Sequence, residues 1–320
     1  MSSQNTTNDS SNVWSMLLII RCIALGLLLL VASLFLIIAF QLIRHSSSVE
    51  LDPPPPDSLR VATYNVHYIS LYRKEGNWGT DHWHRRKQSL DRVFKYLKAD
   101  VVAFQEMESF GGGDDDSVNL VRSWLLSNNP KYSAAAIGPW QNFPSTQPVF
   151  YRKDKIELVS QGWFFFSEMP DKIYSRTFNG SYPAFASWVE FLDKTTKRHF
   201  KIVNVHLDFS SRENRTRSVE LTVQRMNPWI DSGETVLLAG DLNARHGSGL
   251  HKKLNSAGLE FVPVKGSTYH FNRGINLFGA IDHIAYTPGI ELIGRPVVVQ
   301  NKTGQVWATD HYPLVADFKF

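Results

Sequence analysis

VLLAGDLNAR, residues 236–245, is the stretch whose reading decides the fold. Val236, Leu237, Leu238 and Ala239 form an apolar run that reads as a buried strand, and Gly240 marks a tight turn at its end. Asp241 and Asn243 follow two positions apart. Side chains alternate along an extended chain, so both would face one side and place a carboxylate and a carboxamide at the mouth of a sheet. Taken alone, Asp-x-Asn after a strand is equally an Asx turn. The other strands of the chain decide between the two readings, by how they finish.

They finish in the same way. A strand at 59–64 runs into Asn65, one at 101–104 into Gln105 and Glu106, and one at 200–207 carries His206 with Asp208 just beyond. A strand at 280–286 contains Asp282, and Asp310-His311 precede the strand at 314–320. Between the strands lie amphipathic helices. Residues 84–97 carry Leu90, Val93, Phe94 and Leu97 at helical spacing, 213–230 carry Val219, Val223, Met226 and Ile230, and 118–126 form a further helix. Short strands at 148–151 and 156–159 are joined by the turn Lys153-Asp154, and 185–191 pairs with 200–207. Alternating strands and helices indicate the α/β class. No internal repeat is evident. Mg²⁺ and similar ions that serve phosphate chemistry take carboxylate, carboxamide and water oxygens. Phosphoryl transfer also needs a base or orienter for water and donors for developing charge. The strand ends supply each type.

Six motifs occur in order: ATYNVH (62–67), AFQEM (103–107), VNVHLDF (203–209), LLAGDLNA (237–244), AIDHI (280–284) and ATDHYPLVA (308–316). In these the chain resembles the endonuclease/exonuclease/phosphatase superfamily, from Leu59 to the C-terminus. The resemblance implies a DNase I-like four-layer α/β sandwich, two packed mixed sheets flanked by helices. It also implies roles residue by residue. Asn65 and Glu106 match the metal-holding pair, and Asp310 the acidic residue near the metal. His206 matches the histidine that stabilises or protonates the reacting phosphate. Asp241 matches the aspartate that orients or deprotonates water, and Asn243 the amide that bonds a phosphate oxygen. His311 matches the terminal catalytic histidine, and Asp282 its orienting aspartate. Thr309 stands where serine is commoner in the family. The family's partner for the first histidine has no evident counterpart, so the partner of His206 stays open. Mg²⁺ or Mn²⁺ is the implied cofactor.

Other features are plainer. His82 and His84, backed by Arg85, Arg86 and Lys87, read as a solvated basic helix start. His283 reads as ordinary strand polarity facing away from Asp282. Residues 163–166 read as a core strand, and GGGDDD at 111–116 as a flexible turn without calcium-loop spacing. Arg176, Arg212, Arg215 and His270 are candidate phosphate contacts, with 267–274 as a substrate-side loop.

The organisation read from sequence is a disordered tail at 1–15, a transmembrane helix at 16–44, a Pro-rich linker at 45–57 and a catalytic domain at 58–320. Residues 22–43 alone would span about 33 Å as a helix, enough to cross a bilayer core. A retained anchor is favoured over a cleaved signal because the run is long, has no basic region before it and shows no clear cleavage site. Pro53, Pro54, Pro55 and Pro56 read as a stiff spacer. Arg21 and Arg44 flank the helix and pull its orientation opposite ways, while sequons at Asn179, Asn214 and Asn301 fit a lumenal face in a eukaryote. Cys22, the only cysteine, lies in the apolar run, so the catalytic domain has no disulfide, thiolate metal site or cysteine nucleophile. The net charge of +4 suits a polyanionic substrate or an anionic membrane surface.

The expectation is a monomeric, membrane-tethered metal-dependent phosphoester hydrolase with its catalytic domain on the extracytoplasmic side. Nucleic acid is the favoured phosphodiester substrate, and a phospholipid or sphingomyelin head group the alternative. A non-catalytic binding module is a third reading, which the loss of a key motif residue would favour. None is lost.

Overall fold

The fold comes from a computed structural model that describes residues 7–111, 118–180 and 182–320, with side chains from residue 13 onward. It divides into two units, Met1–Arg44 and His45–Phe320. The described part of the first belongs to one helix, α1 (Thr7–His45). Its segment Val13–His45, of mean hydropathy 3.0, is long and apolar enough to cross a bilayer. The helix begins inside the stretch read as a disordered tail, which corrects that reading from Thr7 on. Lengthening an existing helix adds a hydrogen bond per residue without a new nucleus, so polar residues continue what the apolar run starts. Residues 1–6 of the tail and 112–117, most of the turn expected at 111–116, lie outside the described residues.

The second unit runs β1 (Leu59–Asn65), β2 (Ile69–Ser70), α2 (Thr80–Leu97), β3 (Val101–Gln105), β4 (Ser109–Phe110), α3 (Leu120–Asn128), β5 (Tyr132–Ala135), β6 (Val149–Arg152), β7 (Ile156–Phe165), β8 (Phe185–Asp193), β9 (His199–His206), α4 (Arg212–Asp231), β10 (Val236–Asp241), α5 (Gly249–Ser256), β11 (Glu260–Phe261), β12 (Asp282–Tyr286), β13 (Glu291–Val298) and β14 (Leu314–Lys319). One six-stranded sheet has the order β13-β14-β1-β3-β6-β5, the other β11-β12-β10-β9-β8-β7, and β2-β4 is a small third pair.

Each large sheet is built around a parallel pair, β1 with β3 and β9 with β10. Parallel neighbours need a crossover, and the helix between the paired strands supplies it: α2 in one sheet, α4 in the other. β1 and β10 are buried along their whole length, as strands covered on both faces must be. The faces turned toward each other share one apolar cluster, with Val61, Val101 and Leu314 from the first sheet and Ile202, Leu237 and Ile284 from the second. Outside the first sheet Leu90, Val93, Phe94 and Leu125 pack against Ala62, Tyr64 and Phe104. Outside the second Val219, Met226, Leu250 and Leu254 pack against Val203, Val205 and Leu238. These four layers are the expected sandwich.

The turn at Lys153-Asp154 joins β6 to β7 as expected, and because these strands belong to different sheets it carries the chain across the sandwich. One local reading changes: the stretch ahead of the prolines, read as part of the linker, is strapped to the domain. Ser47 N donates to Gln300 Oε1 (2.6 Å), Leu51 N to Tyr96 Oη (3.2 Å), and Val49 and Leu51 join the cluster under α2. The prolines end in a turn at Pro56-Asp57, where Asp57 takes φ 56°.

Candidate active site

The C-terminal ends of the two parallel pairs meet at one rim. Asn65 ends β1, Glu106 follows β3 at once, and His206 and Asp241 end β9 and β10 as direct neighbours in register. Gly240 makes this approach possible: at its φ of 153° a Cβ would lie 1.9 Å from the Val205 carbonyl oxygen. Just past the strands Glu106 and Asn243 take φ of 54° and 45°, so the chain turns back within a residue or two of each sheet's edge.

Asp241 Oδ2 is the hub. Asn65 Nδ2 lies 3.3 Å from it and 3.0 Å from Glu106 Oε1. His206 Nε2 sits 3.8 Å from the same Asp241 oxygen and 3.7 Å from Glu106 Oε1. His311 Nε2 is 3.8 Å from it on another side, while His311 Nδ1–H donates to Asp282 Oδ2 at 2.9 Å. Asp282 is held in turn by Thr268, whose hydroxyl oxygen accepts from the backbone N–H of Ile281 (3.0 Å) and Asp282 (3.1 Å). Asp310 Oδ1 lies 3.8 Å from His67 Nδ1 and 3.2 Å from the Thr309 hydroxyl.

Burial and charge shape the protonation of this cluster. Burial, reinforced by Asp282, pushes the Asp241 carboxyl up to about 6, against the pull of His311 and His206. For His311 burial alone would favour the neutral ring. The Asp282 carboxylate outweighs it by charge and hydrogen bond, helped by Asp241 and Asp310, and raises the imidazole to about 10. Burial also opposes ionisation of Asp310, yet His67 and His311 hold its carboxyl below the usual range. His67 itself is pushed down, first by burial.

Glu106, Asn65, His206, Asp241, Asp282 and His311 are thus drawn into one cluster, with Asp310 beside it. Asn65 sits between the two carboxylates. Its amide oxygen accepts from His67 N (3.1 Å), and its nitrogen ties the two carboxylates together. Asn243 braces the turn, donating from N to Asp241 Oδ1 and from Nδ2 to Leu207 O, both at 2.8 Å.

The candidate phosphate contacts fare differently. Arg215 donates to the carbonyls of Asp208 (2.8 Å) and Phe209 (3.0 Å), fastening the loop after β9. His270 is buried and stacked on Tyr312, with ring centroids 4.0 Å apart, and its Nδ1 accepts from Gly274 N. Burial lowers it to about 4, which favours the neutral ring, and its stack packs the loop. Arg176 and Arg212 are exposed. The loop at 267–274 does reach the site, since Tyr269 bridges to His311 with ring centroids 5.1 Å apart.

Several contributors went unread in the sequence. Arg86, taken as part of a solvated run, is buried and donates to the carbonyls of Val66 (2.9 Å), His67 (2.6 Å) and Ala308 (2.8 Å), clamping two strand ends. His82 is buried as well, while His84 and Arg85 are exposed. The i, i+4 spacing of His82, Arg86 and Leu90 is the signal that places them on one inward face. His67 and Thr268 offered nothing beyond their closeness to Asn65 and to the 267–274 loop.

Among curated proteins no sequence matches the chain. Solved structures that share the fold include the following three. An endonuclease/exonuclease/phosphatase family protein from Bacteroides thetaiotaomicron is 22% identical, with 83% of this chain and 98% of that one covered and a TM-score of 0.68. A mannosyl-6-phosphatase of the same organism is 22% identical over 82% of this chain and 100% of its own, TM-score 0.68. The human nocturnin catalytic domain, bound to a sulfate anion, is 16% identical over 84% and 96%, TM-score 0.61. Likeness at these identities speaks for the fold alone, but the profile of the Endonuclease/Exonuclease/phosphatase family matches residues 62–311, a span that holds every strand end described above. On that match, and with the six motifs drawn to one rim of a two-sheet sandwich, this chain belongs to the endonuclease/exonuclease/phosphatase family.

Proposed function

We propose that this chain is a membrane-tethered, divalent-metal-dependent phosphoester hydrolase acting on phosphodiesters, nucleic acid foremost. The observation that carries the reading is the position of Asp241 Oδ2, within 3.8 Å of both His206 Nε2 and His311 Nε2. A carboxyl raised to about 6 is mostly ionised at neutral pH yet basic enough to orient an attacking water and take its proton. Asp282 fixes His311 with Nδ1 protonated and keeps the ring cationic, so Nε2–H is left to meet a developing negative oxygen. His206 and the remaining N–H of Asn243 Nδ2 supply further donors.

Glu106 and Asp310 would hold Mg²⁺ or Mn²⁺, which when bound neutralises phosphate charge. Their carboxylate oxygens suit a hard cation, and the Glu106 side chain keeps 23% of its surface open to solvent. Asp241, Asp282 and His311 also lie close enough to chelate, with ligand atoms within 4.8 Å of one another. A cation there would compete with the proton that Asp282 keeps on His311, so Glu106 with Asp310 is the better pair.

Nucleic acid is supported by the aromatic margins of the rim. Tyr68 and Trp78 stack at 6.2 Å beside His67, and Tyr269 stacks on Phe278 at 6.1 Å with Arg245 over the same ring. Flat faces near cationic groups suit bases on a phosphate backbone. The second reading, a phospholipid or sphingomyelin head group, is favoured by α1 and by Phe209, which is 73% exposed on the loop after His206. The extracytoplasmic placement draws on the exposed sequons Asn179 and Asn301; Asn214 is buried and drops out. The full chain in detergent micelles with Mg²⁺ or Mn²⁺, offered plasmid DNA, RNA, sphingomyelin and inositol phosphates beside an Asp241→Ala control, tests the proposal. Cleavage of plasmid or RNA is expected. Release of phosphocholine with nucleic acid left intact moves the assignment to lipid, and turnover of none of them restores the binding-module reading.

A further inference from the structure

On the outer face of the second sheet, behind the catalytic rim, three histidines converge. His283 is the second residue of β12, and alternation turns it away from Asp282, toward α5 and the loop that follows Asn243. There it meets His251 of α5, with ring centroids 4.4 Å apart at 84°, and His246 of the loop, 5.1 Å from His251. One ring nitrogen from each lies within 4.8 Å of the other two.

The hydrogen bonds select which nitrogens are free. His283 Nε2 lies 2.9 Å from the Ala244 carbonyl oxygen, which can only accept, so Nε2 carries the proton and Nδ1 is a bare lone pair. That Nδ1 is fully buried and has no hydrogen-bond partner. His251 bonds through Nδ1 to Ser248 Oγ at 2.9 Å, and its Nε2 is likewise buried without a partner. Two buried ring nitrogens without partners, beside Phe261 whose ring centroid lies 4.2 Å from that of His251, are costly to leave unmet. Fixing one ring nitrogen by a backbone carbonyl or hydroxyl and leaving the other bare is how proteins orient histidine toward a metal. The third member, His246, is exposed, so the cluster is open to solvent on its side.

We infer that His246, His251 and His283 form a second metal site, separate from the catalytic rim, for a borderline transition-metal ion of the zinc type. Three imidazoles without a carboxylate match Zn²⁺ with a solvent molecule as fourth ligand, and they are a poor match for Mg²⁺ or Ca²⁺, which take oxygen. Zinc bonds of about 2.0–2.1 Å require tighter spacing than the free cluster has, and a rotamer change of exposed His246 can close it. The bound ion would fasten α5 and the loop carrying Asn243 onto β12, which carries Asp282 on its other face. It would therefore brace the acid–base half of the rim from behind.

Full-length protein in detergent micelles, without a polyhistidine tag, would be titrated with Co²⁺ as the probe and then with Zn²⁺. The expected result is one equivalent of Co²⁺ with the intense visible bands of tetrahedral nitrogen ligation, displaced by Zn²⁺, and a higher Tm in Zn²⁺. His246→Ala, an exposed change that leaves the fold in place, should weaken the binding by tenfold or more. Glu106→Gln, in the catalytic rim, should leave it unaltered. Absence of the tetrahedral bands in the parent protein, equal affinity in His246→Ala, or loss of the bands in Glu106→Gln would each overturn the assignment.

Discussion

The two sheets repeat one plan and use it for different chemistry. In each, a parallel pair joined by a helix points its C-terminal ends at the rim, with β1 and β3 delivering Asn65 and Glu106, and β9 and β10 delivering His206 and Asp241. The first pair brings a carboxamide and a carboxylate, with Asp310 added from the approach to β14. The second brings a histidine and a buried carboxyl raised to about 6, with Asp282 added from β12. On the proposed reading one half holds a cation and the other moves protons. Contacts that join the halves include Asn65 to Asp241 (3.3 Å), His206 to Glu106 (3.7 Å) and His311 to Asp282 (2.9 Å). The site therefore exists only while the shared apolar layer keeps the sheets in register.

If that division of labour is correct, damage to either half should leave a different kinetic signature. Asp241→Ala, on the proton-moving side, should lower kcat by about a thousandfold or more, since it removes the base and one partner of both histidines. The metal concentration for half-maximal rate should stay within about threefold of the parent, because the oxygen set is untouched. Glu106→Gln, on the other side, should lower kcat by about a hundredfold and raise that half-saturating concentration at least about tenfold. Steady-state rates across a Mg²⁺ series separate the two. Equal shifts in metal requirement for both variants would collapse the distinction.

A finer probe is the pair that joins the halves. His311 is raised to about 10 mainly against burial, by Asp282. Its folded value lies above the unfolded 6.5, so its contribution to stability is full below 6.5 and is lost as pH rises through about 10. The cation that serves catalysis persists over the same range. Asp282→Asn removes the largest force holding the proton on His311 and leaves burial opposed only by Asp241 and Asp310, so His311 should titrate far lower and the alkaline limb of kcat should move down by more than two pH units. At pH 8.5 the variant should lose about a hundredfold in kcat, and less at pH 6. An unmoved alkaline limb would mean that the group titrating there is not His311.

Much of this rim was legible in the sequence because the fold puts its chemistry where strands stop. An apolar run followed by Asn, Glu, His or Asp is readable without knowing which strands are neighbours, so Asn65, Glu106, His206, Asp241, Asp282 and His311 could all be named. What escaped depended on neighbours. The Lys153-Asp154 turn looks alike whether it closes a hairpin or crosses between sheets. Val49 and Leu51 are too few for a periodic pattern, so a strap passed for a linker. β12 showed alternation that turned His283 outward, but only α5, a helix of eight residues, reveals that His251 waits there. Arg86 sat in a basic run whose composition hid its helical face. The doubled topology of the sheets left no internal repeat in the residues, because packing constrains hydrophobic pattern far more than identity.

The smallest effect falls on the loop that closes the first sheet's side. His270 could have been a phosphate contact, as its place in the 267–274 loop first implied, or a packing residue, as its burial and its stack on Tyr312 indicate. His270→Phe separates these. Phenylalanine keeps the stack but cannot accept from Gly274 N, a bond of 3.2 Å whose loss costs about 1 kcal/mol. In a domain of this size that is a fall of about 2–4 °C in Tm. If His270 only packs, KM and kcat should stay within about twofold, since a ring lowered to about 4 is neutral at working pH and gives phosphate no charge to lose. A tenfold rise in KM without a change in Tm would return His270 to the substrate, and with it a cationic contact on the side of the rim otherwise defined by carboxylates.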